Sequence, residues 1–96
     1  MLVLCPSYRR HEAARATYDS FVKTKVIPST DLAFLLYEKD TKANAKYDSE
    51  MFTVSCPEET MVERVNGALG MLDGYDYVAW IADDNRFRTK GWDEMV

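Results

Sequence analysis

Residues 2–10 read Leu2-Val3-Leu4-Cys5-Pro6-Ser7-Tyr8-Arg9-Arg10, an apolar run that turns polar at Ser7. In an extended strand, successive side chains point to opposite faces, so a continuous apolar run has to be covered on both sides. That is the pattern of a central strand in a parallel sheet. Downstream, His11 to Lys25 sets Ala14, Tyr18, Phe21 and Val22 at helical spacing, and Pro28 with Ser29-Thr30 ends the pattern. A second two-faced run, Leu32 to Tyr37, stops at Glu38-Lys39-Asp40.

Residues 41–49 are polar and aperiodic, and predict a loop. A weaker third strand follows at Met51 to Cys56. Thr60 with Glu63 three positions on is a capping-box pair. It opens a helix with the apolar stripe Val62, Val65, Leu69 and Leu72, closed at Asp73-Gly74. Tyr77 to Ala82 predicts a fourth apolar strand that runs into Asp83-Asp84-Asn85. A polar turn over Arg86 to Lys90 and a helix start at Trp92 complete the chain. The order β-α-β-β-α-β predicts an α/β three-layer sandwich with a mostly parallel sheet, as one domain over residues 1–96.

Composition narrows the function. Nearly half of the 96 residues are hydrophobic, the charged fraction is 29%, and the formal net charge is -4. These values fit a folded globular chain, and the scattered basic residues argue against a nucleic-acid partner. No apolar run reaches the roughly 20 residues of a membrane span. The opening Met1 to Cys5 is too short for a signal-peptide core, so a cytoplasmic location is the expectation. Cys5 and Cys56 lie in apolar runs without metal-site spacing, which favours buried free thiols over a disulfide.

In a parallel sheet, ligands bind beyond the carboxyl ends of the strands. The polar residues there are Ser7-Tyr8-Arg9-Arg10, Glu38-Lys39-Asp40 and Asp83-Asp84-Asn85. Adjacent carboxylates repel, and a divalent cation shared with a diphosphate compensates them. A solvated turn capped by Asp84 or Asn85 is the alternative. The loop over Pro6-Ser7-Tyr8-Arg9-Arg10 precedes a helix, where backbone N–H groups and an arginine attract anions, and Tyr8 offers a stacking face. Solvated arginines in a capping turn are the alternative there. Neither a dinucleotide fingerprint nor a P-loop is present. His11, the sole histidine, reads as a helix-start residue, and Tyr75, Tyr77 and Trp80 as core and edge packing.

Taken together, Leu2 to Arg10, the stretch Glu63-Arg64-Val65-Asn66-Gly67-Ala68, and Tyr77 to Asn85 followed by Phe87 and Gly91-Trp92 resemble the front of GT-A-fold glycosyltransferases, particularly the family-2-like enzymes. The resemblance implies a nucleotide-sugar donor site in which Pro6, Ser7, Tyr8 and Arg10 hold the nucleoside side. It assigns Glu38 to the base, with Asp40 as fallback, and Arg64 to a helix beside the nucleotide. In the D-x-D-type motif, Asp84 matches the ligand of Mn²⁺ or Mg²⁺, while Asp83 matches the acid at the ribose or the metal's hydration shell. Ala82 departs from the motif's first acid. The family's domain extends further, so the acceptor site and catalytic base are expected beyond Val96 and the chain reads as C-terminally truncated. A homodimer, or an interaction module completed by a partner, is the alternative to a donor-binding half.

Overall fold

The computed structural model describes residues 1–71, 74–75, 77–83, 85–88 and 90–94, with the side chains of Met71 and Glu94 left aside. Its strands are β1 (Leu2–Pro6), β2 (Asp31–Tyr37), β3 (Phe52–Cys56) and β4 (Val78–Trp80). The helices are α1 (His11–Thr24), the single turn α2 (Thr41–Asn44) and α3 (Met61–Met71), and a 3-10 turn spans Trp92–Glu94. All strand pairs are parallel, in the order β3-β2-β1-β4. The expected α/β sandwich with a parallel sheet is therefore the fold.

The register explains why β1 and β2 are apolar on both faces. Val3 aligns with Leu32, Leu4 with Ala33 and Cys5 with Phe34. Val3, Cys5, Leu32, Phe34 and Leu36 face α1, joined by Ala14, Phe21, Tyr47 and Met51. Leu2, Leu4, Ala33 and Leu35 face α3, joined by Cys56, Val65 and Ala68. Each fully buried Leu or Phe of these two cores stabilises the fold by about 1.5–3 kcal/mol. From β1 to β3 the chain advances in one direction across the sheet, then α3 carries it back past β1 to β4. A constant right-handed crossover puts that returning helix on the opposite face.

Several local expectations shift. The fourth strand, expected as an apolar run from Tyr77 to Ala82, is only Val78–Trp80 and lies at the sheet edge. Tyr77 and Trp80 are 61% and 54% exposed rather than packed, because β4 has one strand neighbour and α3 packs on β1, β2 and β3. Tyr75 does pack, and its hydroxyl donates to Asp31 at 2.6 Å. Helix α1 buries Ala14, Thr17, Phe21 and Thr24, while Val22 turns outward. The threonines are tolerated inside because each is bonded: Thr24 donates to the Ser20 carbonyl and accepts from the Trp92 indole.

In α3 the Thr60–Glu63 pair forms one half of the expected capping box, with the Glu63 N–H donating to the Thr60 hydroxyl and that hydroxyl donating to the Glu63 carboxylate. Its buried face, however, is Arg64, Val65 and Ala68, and Val62 and Leu69 are exposed. Leu72 and Asp73 of the expected stripe and stop lie outside the described residues. The expected loop at 41–49 contains the helical turn α2. Cys5 and Cys56 are buried in the cores on opposite faces of the sheet and are not joined in a disulfide.

Candidate functional site

Because the sheet is parallel, every strand delivers its polar terminus to one edge. The chain leaves β1 toward β2 on one side and later lays β4 on the other, so β1 and β4 border the topological switch point. Crevices at such points are where open α/β sheets bind ligands.

The β1 and β4 termini are joined there by side chains. The Ser7 hydroxyl donates to Asp83 Oδ2 at 3.0 Å, and Arg10 Nη1 lies 3.2 Å from Asp83 Oδ1. Tyr47, from the connection between α2 and β3, hydrogen-bonds Ser7 Oγ and accepts the Arg10 backbone N–H at 3.3 Å. With the serine proton committed to Asp83, Tyr47 is the donor to Ser7. The bonds then run in one sense, from Arg10 N–H through Tyr47 and Ser7 to Asp83, and Arg10's guanidinium closes the ring. Such a directed chain is reinforced by the low dielectric of its surroundings. Ser7, Tyr47 and Asp83 are all buried, and burial pushes the Tyr47 phenol above its ordinary range.

The backbone around Asp83 is held as firmly. Asn85 closes a turn on Ala82, its side chain accepting the Ala82 N–H at 2.9 Å and its own N–H donating to the Ala82 carbonyl. The Thr17 hydroxyl lies 2.8 Å from the Asp83 carbonyl and 2.6 Å from that of Asn85, giving its one proton to either. Arg86 donates to the Asn85 carbonyl and to the Thr17 hydroxyl. Phe87 and Trp92 stack at 4.6 Å and both pack on Phe21, and Asp93 in the 3-10 turn accepts the Val26 and Ile27 N–H groups just beyond α1.

The residues expected at the site thus divide. Pro6 is buried at the end of β1, paired with Leu35. Ser7, Arg10 and Asp83 meet at the corner. Tyr8 is half exposed with the Arg9 guanidinium 5.0 Å over its ring, and Arg9 also binds Asp40 at 2.9 Å. Glu38 is exposed at the end of β2, its N–H donating to the Cys56 carbonyl. Arg64 is 1% exposed and serves the turn before α3, donating to the Glu59 carbonyl at 2.7 Å. It neighbours Cys56, whose thiol is pushed up by burial and then by Glu58, with Arg64 opposing. Asp84, the expected metal ligand, lies outside the described residues.

Among the described residues no group of three or more His, Cys, Asp or Glu side chains gathers to hold a metal. Asp83 brings one carboxylate, both of whose oxygens already have donors. Sequence reasoning missed Tyr47, which sits in a polar run; its one signal was an aromatic four residues before Met51, and both are buried in the same core. No helix among the described residues is long and apolar enough to cross a membrane. No family model, curated protein or solved structure matches the chain.

Proposed function

We propose that the chain binds the nucleoside-diphosphate portion of a nucleotide sugar, as the donor-binding half of a GT-A-fold glycosyltransferase. The observation that carries this reading is the buried Ser7–Asp83 bond at the switch point, with the half-exposed Arg10 beside it. In this reading the exposed ring of Tyr8 stacks on the base and Glu38 accepts its N–H. Arg10 meets the diphosphate, and Asp83 sets the ribose. Arg64 acts by holding the β3–α3 turn.

Mn²⁺ or Mg²⁺ belongs to the reading through Asp84, with Asp83 at its hydration shell. Such ions take one or two carboxylates and complete their shell with water and phosphate oxygens, so one further acid meets the requirement. When bound, the cation would neutralise charge developing on the departing diphosphate. Calorimetric titration with a nucleoside diphosphate tests the reading: we expect metal-dependent binding that Asp84→Ala makes metal-independent or abolishes. Equal affinity with and without metal removes the cation from it.

The uncovered side of β4 favours a second reading, an interaction module. Val78 and Trp80 align with Leu2 and Leu4, on the α3 side of the sheet, yet remain exposed. A second copy of the chain or another protein would cover them, and an edge strand offers unpaired backbone groups beside them. In sedimentation, a concentration-dependent dimer supports this reading, and a single 11.1 kDa species removes the homodimer.

A further inference from the structure

Residues 39–46 carry Lys39, Lys42 and Lys46, spaced by three and four. Helical winding continues beyond α2, since Ala45 is in the right-handed helical region and the Lys46 and Tyr47 N–H groups donate back to Ala43 and Asn44. That winding sets Lys42 and Lys46 on one side of the segment, where like charges at such spacing repel, and Lys39 approaches from the turn before it. Lys39, Lys42 and Lys46 form no ion pair among the described residues, and three of the nearby acids pair with arginines instead. Asp40 binds Arg9, while Asp48 and Glu50 bind Arg15.

The lysines border a cavity of about 550 Å³ that is also lined by Arg9, His11, Asp40 and Thr41. Its size is that of a small-molecule site. Arg9 is the one non-glycine among the described residues with a positive φ, at 55°. Strained backbone of this kind concentrates at binding sites. It separates two adjacent arginines, so that Arg10 reaches Asp83 and Arg9 reaches Asp40 at the cavity.

We propose that this cleft is a second anion site, built for a small ligand with two or more adjacent phosphates, and independent of the donor reading above. Lysine binds phosphate as a point charge, and three uncompensated ammonium groups around a small cavity suit a compact polyanion. A long nucleic acid is disfavoured by the net charge of -4, which repels an extended polyanion elsewhere on the surface.

Titration calorimetry of the whole chain with inorganic tripolyphosphate, run without divalent cation so that the metal-dependent donor corner stays empty, tests the site. We expect saturable binding of one equivalent, weakened at least about tenfold in the double variant Lys42→Ala, Lys46→Ala. Both lysines are exposed and alanine favours helical turns, so the double variant retains the fold, as circular dichroism checks. Lys23→Ala, on the exposed side of α1, removes a charge outside the cavity and is expected to stay within about twofold of the parent. Unsaturable binding, or wild-type affinity in the double variant, overturns the proposal. So does loss of binding in Arg10→Ala alone, which places the anion at Asp83, or tighter binding of a single-stranded oligonucleotide.

Discussion

Ser7 and Asp83 are 76 residues apart in the chain, and the serine hydroxyl donates to the aspartate carboxylate at 3.0 Å, tying the end of β1 to the turn after β4. The bond brings the polar terminus of β1 and Asp83, the first acid of the expected pair, to one corner of the sheet. It also gives Asp83 internal partners on both oxygens, which makes it an organiser of that corner.

Removing the carboxylate therefore has a structural cost. Asp83→Ala leaves the buried Ser7 and Tyr47 hydroxyls without their terminal acceptor, and we expect a loss of about 1–3 kcal/mol in urea unfolding. Asp83→Asn keeps an acceptor for Ser7 and should cost less. Arg10 is 54% exposed, so its ion pair is screened and Arg10→Ala is expected to be the mildest of the three. Equal stability of Asp83→Ala and the parent would remove the ring from the account of the fold.

Acid stability should respond to Asp93. Burial alone would raise its pKa, but the Ile27 and Val26 N–H groups favour the carboxylate and hold it below the ordinary value of 3.8. A carboxylate depressed in the folded state adds stability above its unfolded pKa, and that stability is lost as pH falls through the lower folded value. We expect thermal melts of the parent to weaken below about pH 4. Asp93→Asn should be less stable at neutral pH and show a shallower acid dependence. A parallel pH profile for the two proteins would contradict this role.

The thiols offer a test of the layers. Cys5 and Cys56 are buried on opposite faces of the sheet, and burial raises the Cys56 pKa, which lowers its thiolate fraction. A thiol reagent should label neither in the native protein and both in denaturant. Fast native labelling of Cys56 would mean that α3 does not cover that face as described.

Legibility in the sequence followed burial. β1 and β2 were readable because they are central and buried on both faces, so their apolar runs have one physical explanation. β4 was misread because its apolar run sits at an edge, where Val78 and Trp80 remain exposed. The inward face of α1 was only partly readable, since Thr17 and Thr24 are inside by virtue of hydrogen bonds to residues 66 to 68 positions away. Thr60 and Glu63 were readable because capping is local. Tyr47 and the lysines around it were not, because a helical turn in a polar segment leaves no apolar period.

The central claim is that a nucleoside diphosphate binds at the corner of Ser7, Arg10 and Asp83. Backbone amide spectra of the labelled chain, titrated with a nucleoside diphosphate in the presence of Mg²⁺, test it most directly. We expect saturable shifts at Ser7, Tyr8, Arg10, Glu38 and Asp83 that persist in the Lys42→Ala, Lys46→Ala variant, whatever the lysine cleft itself takes up. Absence of saturable shifts at Ser7 and Asp83, or shifts confined to the lysine cleft, would contradict it.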